Sequence, residues 1–469
     1  NTQAAVEAMI ALPHAKGKTY GVFGLGRSGN AAAAALAASG ARVLAWDDRI
    51  EAVPDGCERF DFLNEDWPLL DGIVWSPGIP FLHPTPHPVA VHARRVGCPL
   101  VADIDLLVAA RPDAVFVGVT GTNGKSTTTA LLAHLLDTAG REAVAGGNIG
   151  AAALELPELG EGGTYVIELS SYQLELCQTA AFSVGIWLNL TADHLDRHGG
   201  LHGYAAAKSR LWSHAKPGDI AIVGMSGSSG RNEADRARAA GRTVLPIAGS
   251  AYPGAALATE DGLLLDSRNG RPTVIVDLGS CRSLPGEHNA ENAAAATAAA
   301  LSLGLTADEI ADGLKSFPGL AHRQERVRQI GKATYVNDSK ATNAESTAKA
   351  LVCYDNIYWI AGGLAKAGGI GPLAPYFSRI RHAFLVGDAA AGFGETLTES
   401  GIPASNDGDV LTALTQAHAA AQRDPQDSVV LLSPACASFD QWPSFEARGD
   451  AFRDAVLSLE IPDPQSGRR

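Results

Sequence analysis

The chain has 469 residues, long for one domain and suggestive of three, and 46% of them are hydrophobic, ample for several cores. Its 37 basic and 51 acidic residues give a net charge of −14, which argues against non-specific nucleic-acid binding while leaving local cationic clusters free to hold anionic substrates. Six cysteines are scattered with no C-x-x-C pair, so neither a disulfide framework nor a zinc site is indicated, and a reducing cytoplasm fits best. No run reaches the roughly 18 strongly apolar residues of a membrane span, and no signal peptide is visible.

In chain order, residues 19–23 read as a strand, followed by Gly24-Leu25-Gly26-Arg27-Ser28-Gly29 and an Ala-rich helix. Residues 41–46 read as the next strand, ending at Asp47-Asp48. This is a G-x-G-x-x-G fingerprint with an acidic residue about twenty positions on, which ordinarily points to a dinucleotide. A strand over 72–75 ends in Ser76-Pro77-Gly78-Ile79-Pro80, a rigid turn at the carboxyl edge where such sheets bind ligands. A Pro/His-rich loop over 81–88, a short helix and Cys98-Pro99 lead to a candidate linker.

Residues 114–119 form an apolar strand that runs into Thr120-Gly121-Thr122-Asn123-Gly124-Lys125-Ser126-Thr127 and then a helix. Strand, glycine turn and helix in that order make a phosphate cradle, because backbone N–H groups and a helix N-terminus face the anion. Lys125 would reach the β- and γ-phosphates of ATP, and the Ser126 hydroxyl would sit on Mg²⁺. The usual first glycine is replaced by Val119, with Gly121 two residues later. A strand over 165–169 carries Glu168 at its end, beside the loop, where a carboxylate suits a hard cation. A strand over 183–188 closes in Asn189-Leu190-Thr191-Ala192-Asp193-His194-Leu195-Asp196, which brings His194 to the same carboxyl edge. Lys208 follows on a helix containing Tyr204, and 286–292 opens a long Ala-rich helix on which Asn289 and Asn292 share a face.

The departure Thr-Gly-Thr-Asn-Gly-Lys-Ser-Thr, followed by Asn-Leu-Thr-x-Asp-His-Leu-Asp and Tyr-x-x-x-Lys, resembles the Mur ligases, which form amide bonds with ATP. The resemblance implies an ATP site built from Gly121, Thr122, Asn123, Gly124, Lys125, Ser126 and Thr127, with Asn289 and Asn292 near the adenine. It implies Mg²⁺ held by Ser126, Glu168, His194 and Lys208, with Lys208 carbamylated, and a catalytic set of Lys125, Glu168, His194 and Lys208. It also turns the first fingerprint from NAD to a uridine nucleotide. Arg27 and Ser28 would face the diphosphate, Asp47 and Asp48 the uracil, and Ser76, Pro77 and Gly78 the nucleotide-sugar, with Asn148 and His194 also on that substrate.

From about residue 318 a further α/β segment shows strands over 333–336, 357–360, 382–386 and 428–432, each ending in a polar or glycine-rich turn. Four such turns at successive strand ends imply a ligand face. His322-Arg323 at its entry resembles the family's arginine for the incoming amino acid and phosphate. Asn337-Asp338-Ser339-Lys340-Ala341-Thr342-Asn343 and Ser433-Pro434-Ala435-Cys436-Ala437-Ser438-Phe439-Asp440 resemble the branch that adds D-glutamate. By that resemblance Arg323, Asp338 and Lys340 would contact ATP, while Arg323, Thr342, Lys366, Ser438, Phe439 and Phe445 would position D-glutamate. Gly362-Gly363-Leu364-Ala365-Lys366 departs from the commoner Gly-Gly-Asp-Gly-Lys.

The fold expected is α/β with three domains. An N-terminal Rossmann-like domain (1–99) would bind the uridine-nucleotide substrate, a central P-loop ATPase-like parallel sheet (100–318) would bind ATP, and a C-terminal Rossmann-like domain (319–469) would bind the amino acid. The expected activity is ATP-dependent addition of D-glutamate to a UDP-muramoyl-L-alanine precursor through an acyl phosphate, by a cytoplasmic monomer acting on small molecules, with no nucleic-acid partner and no membrane insertion. An L-alanine-adding ligase or a folylpolyglutamate synthase relative stays open within the superfamily. A nicotinamide oxidoreductase would explain Gly24 to Gly29 but leave Lys125, Glu168 and Lys208 idle. A non-catalytic nucleotide-binding scaffold would not need Glu168, His194 and Lys208 together.

Overall fold

The computed structural model describes residues 10–64, 66–365 and 368–460. It contains three sheets. The first is wholly parallel, in the order Glu58–Arg59, Arg42–Trp46, Thr19–Phe23, Gly72–Trp75, Leu100–Val101. Helix Arg27–Ala38 lies on it with Ala31, Ala32, Ala33, Ala35 and Leu36 buried. Its small side chains allow a close approach, and at Gly29 even a Cβ would stand 1.8 Å from the Gly24 carbonyl oxygen. The third glycine of the fingerprint is therefore a packing requirement.

The central sheet has nine strands. Its parallel part runs Leu257–Glu260, Thr243–Ile247, Ile220–Gly224, Val184–Trp187, Val115–Thr120, Thr164–Glu168, Ala143–Gly147. Strands Leu263–Asp266 and Thr273–Asp277 extend it antiparallel at one edge. Strands Val184–Trp187 and Thr164–Glu168 are buried along their whole length, as expected for a parallel sheet covered on both faces. Helix Glu287–Ser302 buries every residue from Asn289 to Ala300, and its alanines combine high helix propensity with little bulk.

These two sheets belong to one compact unit, formed by the chain up to Cys281 together with Asn289–Phe317. Their apolar interiors are continuous, from Val22 and Leu36 through Ile104 and Leu107 to Tyr165 and Phe182. Asp105 fastens the join. Its buried carboxylate accepts from the backbone N–H of Ala102 (3.2 Å), Gln178 (2.9 Å), Thr179 (2.8 Å) and Ala180 (2.8 Å), tying helix Asp103–Ala110 to the chain after helix Ser171–Leu176.

The second unit comprises Arg282–His288 and the chain from Pro318 onward. Its six-stranded sheet runs Glu325–Ile330, Ala333–Asn337, Ser428–Leu432, Ile357–Gly362, Ile380–Val386, Ala404–Gly408, parallel except for the first pair. Separate apolar cores cover its two faces, one around Trp359, Phe377 and Phe393 and the other around Tyr335, Leu414 and Phe452. Among the described residues no helix is long and apolar enough to cross a membrane.

Asp105→Ala would strand four backbone N–H donors, of which those of Ala102 and Ala180 are buried and costly to leave unpaired. The variant is expected to lose about 3 kcal/mol of stability, read as a lower urea midpoint, while Glu161→Ala at an exposed position changes little.

Candidate functional site

The phosphate loop is held in shape by the turn beside it. Asn123 N–H donates to Asn189 Oδ1 at 2.9 Å, Asn189 Nδ2 returns a bond to the Asn123 carbonyl at 3.2 Å, and Thr122 N–H donates to the Asn189 carbonyl at 2.9 Å. Gly124 turns the chain into helix Lys125–Thr138 with φ 86°, and a Cβ there would stand 2.2 Å from Asn292 Oδ1. That same oxygen accepts from Thr128 Oγ1 at 3.3 Å, while Asn292 Nδ2 donates to Asn289 Oδ1 at 3.1 Å. Both asparagines are buried. Asn292 thus abuts the loop from behind, a supporting position that the sequence, which suggested adenine, did not reveal.

Two lysines converge on this loop. Lys125 Nζ donates to the carbonyls of Gly121 (3.0 Å) and Thr122 (2.9 Å). Lys208, only 1% exposed, donates to the same Gly121 carbonyl at 2.8 Å and lies 4.6 Å from the centroid of the Tyr204 ring. Burial, and then the neighbouring charge of Lys125, push the Lys208 ammonium well below the ordinary lysine range, against the pull of Asp193 and Glu168. Tyr204 is the link between them, because its hydroxyl lies 3.2 Å from Thr122 Oγ1.

Glu168 ends its strand 2% exposed. Its Oε1 accepts from Asn148 Nδ2 at 2.8 Å, and among the described residues its buried Oε2 has no hydrogen-bond partner. A buried carboxylate oxygen left unpaired beside a phosphate loop fits a hard cation. Ser126 is buried at the helix start, whereas His194 is half exposed in a left-handed conformation, with its Nε2 3.5 Å from Asp193 Oδ2. Among the described residues no three His, Cys, Asp or Glu side chains cluster as a ready metal cage. The donor set instead matches Mg²⁺, which takes one or two carboxylates and fills its remaining positions with water and phosphate oxygens.

One cavity of about 410 Å³ brings both lysines, Asn148 and His194 together with the first sheet, while Ser126 and Glu168 are not among its lining residues. Gly26, Arg27, Ser28, Ser76, Pro77 and Gly78 line it from that side, and Thr122, Lys125, Asn148, Ser170, Ser171, Tyr172, Gln173, Asp193, His194, Tyr204 and Lys208 from the other. Arg27 Nη1 donates to the Gly150 carbonyl at 2.5 Å, across to the central sheet. Asp47 and Asp48 are not among the lining residues. Asp47 Oδ2 accepts from Leu25 N–H at 2.7 Å and its Oδ1 from Arg49 and Ile50, so it shapes the glycine loop. Burial raises its pKa, but those three donors and the Arg49 charge together hold it below the usual carboxylate range. Asp48 pairs with His87 at 3.0 Å.

In the second unit the strand-end turns are cross-tied. Leu364 and Ala437 exchange backbone hydrogen bonds at 2.9 and 3.2 Å, so position 364 works through its backbone, and the missing aspartate leaves that pairing intact. Arg448, 1% exposed and unremarked in the sequence, donates from Nε to Ser339 Oγ (2.9 Å) and from Nη2 to the carbonyls of Ser339 (2.8 Å) and Cys436 (3.2 Å). Burial lowers its pKa to about 10. Ser438 is buried, Phe439 is 70% exposed, and Lys340 Nζ lies 5.3 Å from the Phe445 ring centroid. The Thr342 N–H is taken by the Lys340 carbonyl at 2.9 Å, while Arg323 immediately follows His322, a buried residue with φ 61°. Lys366 lies outside the described residues.

Comparison with known proteins gives a consistent picture. Residues 119–300 match the Mur ligase middle domain. The UDP-N-acetylmuramoylalanine–D-glutamate ligase of Rhodospirillum rubrum is 48% identical over 463 residues, covering 96% of this chain and 97% of its own. Its namesake in Paramagnetospirillum magneticum is 48% identical, covering 96% and 99%. Among solved structures, UDP-N-acetylmuramate-alanine ligase MurC of Thermotoga maritima aligns with TM-score 0.57 at 17% identity over 94% of this chain and all of its own. MurF ligase of the same organism, in complex with ADP, gives 0.56 at 17% over 97% and 99%. Both show the fold.

Asp338 carries a pH dependence. Burial pushes its carboxyl up to about 7, against bonds from Ser433 Oγ (2.8 Å) and Gln324 N–H (3.1 Å) and the charge of Arg323. The folded state therefore favours the protonated form, and this stabilisation is fully present below the unfolded value of about 3.9 and lost as pH rises through 7. Thermal melts of the intact chain should show wild type losing stability from about pH 4 to about pH 7, and little more above, relative to Asp338→Asn, whose side chain stays neutral throughout.

Proposed function

The chain belongs to the Mur ligase family, and from that premise we propose the chemistry of an ATP-dependent ligase that adds D-glutamate to UDP-N-acetylmuramoyl-L-alanine in peptidoglycan precursor synthesis. The observation that carries the reading is the shared cavity, in which Arg27, Ser28 and Ser76 to Gly78 face Lys125, Asn148, His194 and Lys208. A nucleotide-sugar held on the first side would present its carboxylate to a phosphate bound on the second. That carboxylate oxygen attacks the γ-phosphorus of ATP, and the bond to ADP breaks. The D-glutamate amine then attacks the acyl-phosphate carbonyl, phosphate leaves with the bonding pair, and the amine gives up a proton. Carboxylate and triphosphate repel each other, so Lys125 neutralises charge along the path.

Ser126, Glu168, His194 and Lys208 would hold magnesium, which supplies Lewis-acid stabilisation of phosphoryl oxygens. Lys208 would serve as its carbamate. The unprotonated amine that adds to CO₂, releasing one proton, is favoured by burial beside Lys125. Thr342, Lys366, Ser438, Phe439 and Phe445 would hold D-glutamate, with Arg448 keeping the Ser339 and Cys436 turns in register. Asp47 would act on the nucleotide through the glycine loop it shapes. Substrates of this kind, a nucleotide-sugar and ATP, suit a cytoplasmic enzyme.

The test is ADP release from the uridine-nucleotide substrate with D-glutamate or L-alanine, where only D-glutamate should drive turnover. Lys125→Ala should lower kcat by at least about 10²–10³-fold, the loss seen on removing comparable charge-stabilising groups. Lys208→Ala should be nearly inactive and partly rescued by small carboxylic acids, and Lys208→Arg should not be rescued. An arginine that works, with no response to added acids, would mean a lysine acting as a cation.

A further inference from the structure

The nucleotide turn Ser76 to Gly78 and the phosphate loop stand on different sheets, so the width of the cavity between them needs a brace. Arg197 occupies that position. It lies buried on the short helix Leu195–His198, and its Nη1 donates to Glu175 Oε2 at 3.0 Å. Its guanidinium carbon is 5.5 Å from the ring centroid of Phe81, three residues beyond the turn, and 5.0 Å from that of Tyr172, a wall of the cavity. Among the described residues the buried Nε and Nη2 have no hydrogen-bond partner. A guanidinium that uses only Nη1 in its plane while its carbon lies over two aromatic rings is held by those rings as well as by its carboxylate.

The contacts continue inward. The Tyr172 ring lies 5.1 Å from His194 and 5.4 Å from His198, His198 lies 5.4 Å from Tyr204, and Tyr204 meets Thr122 and Lys208. We infer that Arg197 is a positioning residue for the uridine-nucleotide substrate, bracing Phe81 against Tyr172 and so setting the distance from the nucleotide turn to the phosphate loop. The inference rests on the proposed uridine-nucleotide site. A small error in that distance would misplace the substrate carboxylate while leaving the ATP loop, clasped by Asn189, unchanged.

The experiment is steady-state kinetics with the uridine nucleotide and ATP varied separately, on Arg197→Lys, Phe81→Leu, their double variant and Arg27→Ala. Arg197→Lys keeps the charge for Glu175 but loses the planar face, and should raise the nucleotide KM about fivefold with the ATP KM within about twofold. Phe81→Leu should do the same, and the double variant should be no worse than the poorer single, because both cut one stack. A structural role alone would lower the melting temperature and leave the KM ratio unchanged. An unchanged nucleotide KM in both singles, or equal rises for both substrates, overturns the inference. If Arg197→Lys does not fold, Phe81→Leu, which leaves the pair with Glu175 intact, decides. A raised nucleotide KM in Arg27→Ala alone rejects the brace and keeps the site, whereas no change in any variant rejects the site.

Discussion

Two ammonium groups share one carbonyl oxygen. Lys125 and Lys208 both donate to Gly121 O, at 3.0 and 2.8 Å. Burial, and then the neighbouring charge of Lys125, push the Lys208 ammonium well below the ordinary lysine range. Lys125, part-buried at the mouth of the loop, stays on the side where an anion would arrive. The arrangement separates a part-buried lysine at the loop mouth from a fully buried one behind it, with one loop residue as the reference point for both.

Holding that geometry takes more than the loop. Asn189 closes on it from one strand end and Asn292 from a helix behind, so glycine is obligatory at position 124 for space as well as for φ. The first sheet is fixed to the same frame by a shared apolar interior, by the carboxylate of Asp105 and by Arg27 reaching Gly150. Groups held on one continuous apolar frame lose less freedom on binding than groups on two loosely joined domains would.

Much of this was legible in the sequence because parallel strands announce themselves. Buried on both faces, they read as apolar runs ending in glycine-rich turns, and the strands Thr19–Phe23, Gly72–Trp75 and Ser428–Leu432 lie where those runs stand. Edge strands gave no such signal. Ala404–Gly408 reads Ala-Ser-Asn-Asp-Gly, and only pairing with its neighbour makes it a strand. Site residues divide in the same way. Lys125, Glu168 and Lys208 sit in recognisable strings, whereas Arg448 and Arg197 look like ordinary helix charges until burial and partners are known. Asn189 was visible within its motif, but its role required knowing which loop lies across from it.

The first fingerprint shows why a motif can be right about shape and silent about ligand. Its glycines allow helix and strand to touch, and the acidic residue about twenty positions on is where a dinucleotide's ribose would be held. Here both Asp47 oxygens are engaged by backbone N–H groups, one of them from Leu25 inside the glycine loop itself. The carboxylate that would read a ribose is used to fold the loop. What remains to discriminate the ligand is the rim: Arg27, Ser28 and the Ser76 to Gly78 turn, facing a phosphate loop across one cavity. A cation and hydroxyls on one side and two lysines on the other suit a substrate carrying anionic groups at both ends, which neither half of the site would recognise alone.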